Sequence, residues 1–412
     1  MKNVIDLFAG AGGFSEGFRK DFNIIAHIEK DRAASKTLLL REIFYYLNEK
    51  SDLNLYKSYL KNDIDFESLL LKIPDHVKNK VINSEINAIN LNDIFGKLDT
   101  LLQGREVDGI IGGPPCQAYS TIGRKRNESK KLDDERIYLF NFYADFLKKY
   151  KPNFFVFENV QGLVSFKDNQ GNLLLPDMLK HFNNVLGEDG YTIDSQVINC
   201  GEYGVSQNRN RLFVVGVKSD LLKNDVFETL IDYKEIPMNI KDLFSDLPSM
   251  KHNSTNNSYI ENTYLDQKHY YRKFELPLTL NQSRKHNSRD LEIYRLAVKL
   301  RERGKTLKYN ELPEHLITHK NTNSFLDRFK ALSYDGLSHT VVAHISKDGH
   351  YYIHPDQKQN RSITVREAAR IQSFSDDFYF EDSRTSAFVQ IGNAVPPIFA
   401  NKLSSAIVKS IY

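Results

Sequence analysis

Short apolar runs alternate with helix-length amphipathic stretches over the first 217 residues of the chain. The run VIDLF (residues 4–8) leads through a small-residue loop into FSEGFRK, the pattern of a strand, a glycine turn and a helix. Further runs of buried-strand length are IIAHIE (24–29), VDGIIGG (107–113), FFVFENV (154–160), TIDSQVI (192–198) and RLFVVGV (211–217). Such runs, spaced by helix-length segments, predict an α/β fold with a doubly wound, mostly parallel sheet. Residues 32–80, rich in Leu, Tyr, Lys and Asn, read as an inserted or elongated helical region. From about 219 to 360 the pattern turns irregular and polar, which predicts a second domain. The last thirty residues return to the earlier style with AFVQIGNAVPP and a closing helix, NKLSSAIVKSI.

Composition narrows the class. A chain of 412 residues, 41% apolar, is long enough for two domains and a sizeable core, which excludes a mostly disordered protein. Cys116 and Cys200 are the two cysteines, too few for a disulfide framework or a four-thiolate zinc site, so a reducing cytosol is the expected setting. No stretch approaches the roughly 20 apolar residues of a membrane span. The N-terminus imitates a secretion signal, but Asp6 interrupts its apolar region. The net charge of +3 conceals an uneven distribution: residues 251–310 hold 13 Lys+Arg against 6 Asp+Glu, with Tyr259, Tyr264, Tyr270, Tyr271, Tyr294 and Tyr309 and with His252, His269 and His286 interleaved. That mixture suits either a polyphosphate bearing stackable bases or a solvated, loop-rich face.

Four features carry chemistry. Gly10, Gly12 and Gly13 follow the first strand, and Glu29 ends the second, about twenty residues later, where a carboxylate can accept from ribose hydroxyls. Ser15 stands where a dinucleotide fingerprint needs its third glycine, which favours another nucleoside cofactor or a loop that serves packing alone. GGPPCQAYS (112–120) presents Cys116 on a loop stiffened by two prolines at a strand's carboxyl end, as a nucleophile or a buried filler; Cys200 lacks this setting and reads as filler. Glu158 terminates an apolar strand, where burial would raise its pKa and let it hold a proton. In QNRNR (207–211), Arg209 and Arg211 stand two apart at a strand start and are expected to lean to one face. His344, His350 and His354 lack the cysteines or carboxylates that a zinc site would add.

Taken in order, these motifs resemble those of the C5-cytosine DNA methyltransferases of the bacterial restriction-modification type. DLFAGAGGFSEGF is similar to the family's first motif, GGPPCQAYS to its fourth, ENV to its sixth, QNRNR to its eighth, REAARIQSF (366–374) to its ninth and QIGNAVPP (390–397) to its tenth. The resemblance implies the S-adenosylmethionine-dependent methyltransferase fold and S-adenosylmethionine as cofactor, with no metal. Phe8, Ala9 and the Gly10, Gly12, Gly13 loop would surround the methionine part, and Glu29 would hold the ribose. Glu85 and Ile86 would lie near the adenine, with Asp93 and Ile94 as the alternative. Pro114, Leu139, Asn393 and Val395 match the remaining cofactor positions.

The same resemblance implies Cys116 as the nucleophile on cytosine C6, Glu158 on N3 and the exocyclic amine, and Arg211 on O2 with Arg209 close by. Gln117, Ser120 and Thr340 are the implied DNA contacts. Residues 1–218 with 384–412 would form the catalytic and cofactor-binding domain. Residues 219–383 would form a smaller, irregular target-recognition domain and hinge. The expected partner is double-stranded DNA; the chain is expected to be a cytoplasmic monomer without a membrane, functionally paired with a restriction endonuclease. A transfer-RNA cytosine-5 methyltransferase and a catalytically silent DNA-binding relative are the rival readings. Departures are Ser206, where the family usually has proline, and the long 32–80 segment.

Overall fold

The computed structural model describes residues 2–115, 135–168, 170–187, 190–261 and 270–412. Seven strands form the main sheet: β1 (Lys2–Leu7), β2 (Phe22–Glu29), β3 (Val81–Asn83), β4 (Gly109–Gly112), β5 (Phe154–Val160), β6 (Tyr191–Asn199) and β8 (Asn210–Lys218). Their order is β3-β2-β1-β4-β5-β8-β6, parallel except that β8 runs antiparallel to β5 and β6. Two short strands, β7 (Gln207–Asn208) and β9 (Ser338–His339), pair outside the sheet. All six predicted strands are present. The three-residue β3 gives no sequence signal because it is too short to show a period.

Strand alternation divides the core into two layers. Ile5, Leu7, Phe155, Phe157, Leu212 and Val214 face one cluster with the helices Leu91–Leu102, Leu139–Tyr150 and Leu174–Leu186. Val4, Phe154, Val156, Phe213 and Val215 face the other, built with Gly13–Phe18, Val226–Ile231 and the closing helix Pro397–Ile411. The chain order reverses between β1 and β4, and ligands of open α/β sheets bind outside the carboxyl ends of strands at such a point.

The 32–80 segment is helical, as expected, and its packing gives it a structural role. Helices Arg32–Glu49, Asn54–Leu60, Phe66–Leu70 and Asp75–Lys78 share an apolar cluster against which Phe274, Leu276 and Tyr379 pack. Tyr56 Oη donates to the Asp377 carbonyl at 2.7 Å, Tyr59 Oη donates to Glu381, and Arg41 bridges Glu16 and Asp377. The insertion thus ties the 377–381 loop to the first helix.

Behind the first glycine loop lies a buried charged chain. His27 Nδ1 is 3.2 Å from Asp6 Oδ2, and its Nε2 is 3.0 Å from Glu42 Oε1. Arg19 and Lys80 also pair with Glu42. Burial pushes His27 well below its usual range, and burial pushes Asp6 up to about 7. A neutral imidazole donates from one nitrogen only. With the cations gathered at Glu42, His27 Nε2 donates there and Nδ1 accepts the Asp6 proton. The folded state therefore holds a proton that the unfolded chain has already lost, and this contribution, present at acid pH, disappears as pH rises from the ordinary 3.8 of Asp6 through about 7. Asp6→Asn keeps a donor toward Nδ1 and cannot ionise; thermal melts from pH 4 to 8 should show its stability declining less steeply than that of the wild type across this window.

Candidate active site

Two strand ends and a glycine turn build the site. β4 ends at Gly112, and Gly113, Pro114 and Pro115 continue toward Cys116, which with Gln117 and Ser120 lies outside the described residues. A Cβ on Gly113 would stand 2.5 Å from the Glu158 carbonyl oxygen and 2.8 Å from Glu158 Oε2, so only glycine lets this loop pass the carboxylate. Asn159 is buried, and its Nδ2 donates to the Pro114 carbonyl at 3.3 Å. Sequence reasoning passed over Asn159 and Gly113 as working residues. Their signal was the ENV tripeptide and the glycine pair ahead of the prolines.

Glu158 sits near the end of β5 with Oε1 3.1 Å from Arg211 Nε, both side chains largely buried. Burial raises the Glu158 pKa, and Arg211 and then Arg209 oppose the shift without cancelling it. The carboxyl therefore keeps its proton to a higher pH than an exposed glutamate and remains beside a guanidinium.

Arg209 and Arg211 do not share one strand face. The chain leaves β7 at Asn208 and enters β8 at Asn210, in different sheets, so Arg209 lies between them and the two-residue alternation is broken. Arg211 faces Glu158. The fully buried Arg209 donates to the carbonyls of Val341 (2.8 Å), Gly392 (3.1 Å) and Ala394 (2.9 Å). Its guanidinium is thus engaged by three backbone carbonyls.

The nucleoside-side residues gather at the carboxyl ends of β1, β2 and β3. Phe8 has a φ of +53° and Gly10 one of +55°, and a Cβ on Gly10 would meet open space. Glu29 Oε2 accepts from the Gly10 amide at 2.8 Å and Oε1 from the Asp31 amide at 2.7 Å, and burial raises its pKa. Gly13 lies so close to the tenth-motif segment that a Cβ would meet the Val395 carbonyl at 2.1 Å. Glu85 follows β3 and pairs with Lys30 at 2.9 Å, and Ile86 is buried behind it. Asp93 sits instead on the helix Leu91–Leu102, exposed and paired with Lys97, and Ile94 is in the core. Leu139 opens a helix half-buried, Asn393 ends one exposed and Val395 is buried.

Cys200 is the packing residue that its sequence setting suggested: it is fully buried, and burial pushes its thiol up to about 12. Thr340 is half-buried, and its hydroxyl donates to the Asn208 carbonyl. The stackable tyrosine surface is not found among the described residues. Tyr271, Tyr294 and Tyr309 are buried in apolar clusters, and Tyr259 and Tyr270 donate to Asp376 and to the Ser373 carbonyl. Tyr264 and His269 lie outside the described residues. A large ring flanked by apolar positions gains more from burial than from exposure, provided its hydroxyl finds a partner. His286 and His350 contact Tyr294, and His354 approaches Glu367; among the described residues no group of three or more His, Cys, Asp or Glu is arranged for a metal. No described helix is long and apolar enough to cross a membrane.

Arg209→Ala would strand three buried carbonyls and leave a cavity, and is expected to cost about 3–5 kcal/mol. The check is a lower urea midpoint, with Arg209→Lys recovering only part of the loss.

The C-5 cytosine-specific DNA methylase family matches residues 56–409. Type II methyltransferase M.Bpa9945I of Bacillus paralicheniformis is 38% identical over 98% of this chain and 98% of its own. Type II methyltransferase M.DdeI of Desulfomicrobium norvegicum is 30% identical over 98% of this chain and 88% of its own. Among solved structures, a chain described as a DNA modification methyltransferase from an E. coli prophage superposes with a TM-score of 0.63 at 23% identity, covering 100% of this chain and 99% of that one, a likeness of fold. With the family match spanning most of its length and a 38% identical relative aligned end to end, this chain belongs to the C-5 cytosine-specific DNA methylases.

Proposed function

We propose that this DNA cytosine-5 methyltransferase uses S-adenosylmethionine, acts on a cytosine flipped out of a specific double-stranded site, and uses Cys116 as its nucleophile. What supports this reading is Glu158, its pKa raised by burial, paired with Arg211 and standing against the Gly113–Pro114 turn that leads to Cys116. Cytosine C5 is a weak nucleophile, and both C5 and C6 are hidden by stacking, so the base must leave the helix at a cost of a few kcal/mol. The Cys116 thiolate adds to C6 and C5 becomes enamine-like. Glu158 donates its proton toward N3 and accepts from the exocyclic amine, offsetting charge as it develops, and Arg211 donates to O2. Removal of the C5 proton to a base lets the ring expel Cys116. Arg209 positions Arg211 and the carbonyl segments around it.

S-adenosylmethionine fits the carboxyl ends of β1 and β2. The backbone is left-handed at Phe8 and Gly10, and at Gly10 no Cβ stands between the loop and open space; Ala9 belongs to the same loop, and Gly12 and Gly13 let it pack closely against Leu38 and Val395. Glu29 braces that loop through the Gly10 amide and has lone pairs left for ribose hydroxyls. Glu85 and Ile86, beside Glu29 across β3, are better placed for the adenine than Asp93 and Ile94. Pro114, Leu139, Asn393 and Val395 complete the enclosure. When bound, this cofactor supplies an electrophilic methyl group at C5.

Double-stranded DNA is the proposed partner of residues 219–383, read as the recognition domain, with Gln117, Ser120 and Thr340 as contacts. The chain is read as a monomer of the cytoplasm that protects host DNA against a companion restriction endonuclease.

Purified protein with labelled S-adenosylmethionine should place label at C5 of cytosine in duplex DNA and not in total RNA; label confined to RNA would defeat the reading. Cys116→Ser should abolish transfer with cofactor affinity within a few-fold of wild type by calorimetry. Glu158→Gln retains a donor but fixes it in a neutral amide, and should lower the single-turnover rate by about 10²-fold or more; an unchanged rate would remove Glu158 from the chemistry.

A further inference from the structure

With Tyr271, Tyr294 and Tyr309 of the basic stretch in the core, the aromatic ring that stands furthest into solvent lies elsewhere. Phe325 is 72% exposed, the most exposed aromatic side chain among the described residues. It is also one of two phenylalanines there with a left-handed backbone: φ is +53° at Phe8, in the cofactor loop, and +54° at Phe325. A bulky residue in that region is strained, and the surrounding structure must enforce the conformation.

The enforcement comes from Arg328. Its Nε donates to the Phe325 carbonyl at 3.0 Å, and its Nη2 donates to the carbonyls of Asn321 (3.2 Å) and Ser324 (3.0 Å). The same guanidinium lies 3.9 Å over the buried Tyr309 ring, whose hydroxyl accepts from the Thr318 and His319 amides. Asn321 closes the turn by accepting from the Asn323 and Ser324 amides. Both stems of the 318–328 loop are therefore pinned to one buried ring, and the loop holds an apolar side chain in water. Burying that ring would be the more stable arrangement for an isolated chain.

The surroundings say what would cover it. Lys320 and His319 are exposed on the loop, and Arg328 stands at its base; Asp327 is engaged by Tyr351 Oη at 2.9 Å. The neighbouring helix Ser288–Glu302 turns Arg295 and Lys299 outward, with Arg303 and Lys305 following. The loop also shares a frame with the catalytic pair. The Ile353 amide donates to the Lys330 carbonyl, Tyr352 Oη donates to the Thr340 carbonyl, and the Thr340 hydroxyl donates to the Asn208 carbonyl, next to Arg209.

Resting on the DNA methyltransferase reading, we propose that Phe325 is a DNA-contacting residue of this enzyme, its ring packing against base faces or base edges of the substrate duplex while the flanking cations hold phosphates. A rigid aromatic on a cationic background suits bases stacked between anionic strands. Pre-setting the loop means that little order is lost when DNA arrives.

The chain contains no tryptophan, so Phe325→Trp introduces a single indole, whose emission is excited selectively at the red edge beyond tyrosine absorption. The probe is a duplex oligonucleotide carrying the site that the wild-type enzyme is first shown to methylate. Adding it should quench or shift the emission of Phe325→Trp, whereas heparin, a polyanion without bases, should not. Phe325→Ala should keep the wild-type melting temperature and weaken binding of that duplex about ten- to hundredfold by gel shift. Unchanged emission on a duplex that gel shift shows to be bound would overturn the proposal, as would an equal response to heparin or unweakened binding by Phe325→Ala. A wild-type enzyme that methylates no DNA would instead sink the functional reading.

Discussion

The Arg209 guanidinium holds together three parts of the chain that are far apart in sequence. Its donors reach Val341 in the irregular region and Gly392 and Ala394 at the tenth motif, while its backbone lies between β7 and the strand that carries Arg211. Gln207, two residues earlier, extends the clamp by accepting from the Val341 amide and donating to the Ile371 carbonyl. A fully buried cation without partners would be prohibitively costly, so these carbonyls are fixed as firmly as the arginine is. Arg211 and Glu158 meet at the edge of this frame.

The same logic recurs at the ninth motif and just ahead of it. Arg361, Arg366 and Arg370 are all fully buried. Arg370 pairs with Asp246 and Asp376, Arg361 with Glu367, and Arg366 donates to the carbonyls of Thr279, Ser375 and Phe378. The irregular half of the chain has few regular elements to satisfy its backbone, and buried guanidinium groups with several donors each supply bonds that helices and strands supply elsewhere. The 32–80 insertion adds a further brace through Arg41, Tyr56 and Tyr59. A mobile polar half would not keep Phe325 in a strained conformation, and the braced one does.

Much of the sheet-bearing half was legible because its signals are local. Apolar strands bounded by glycine turns announce their own boundaries, and Glu158 at the end of FFVFENV is anomalous enough to be noticed. The charged residues of the irregular half were harder to read. A basic, tyrosine-rich composition suggested an exposed binding face, yet Tyr271, Tyr294 and Tyr309 are core residues whose hydroxyls found partners within the fold. Composition reports which side chains are present and is silent about which of them find a partner.

By itself, then, the sequence determined the strand inventory, the glycine cradle, the carboxylate at the end of β5, and the ordered motifs that mark the family. These depend on periodicity and on residue type at short spacing. Only the tertiary structure decided that Arg209 serves carbonyls and Arg211 serves Glu158, because a break between two sheets changes which way a side chain points. Only it decided that Gly113 is required by a neighbouring carboxylate, and that the tyrosines turn inward while Phe325 turns outward. The roles of Arg209, Arg211 and Gly113 each depend on a partner tens to hundreds of residues away, whose position is set by packing and not by the local chain.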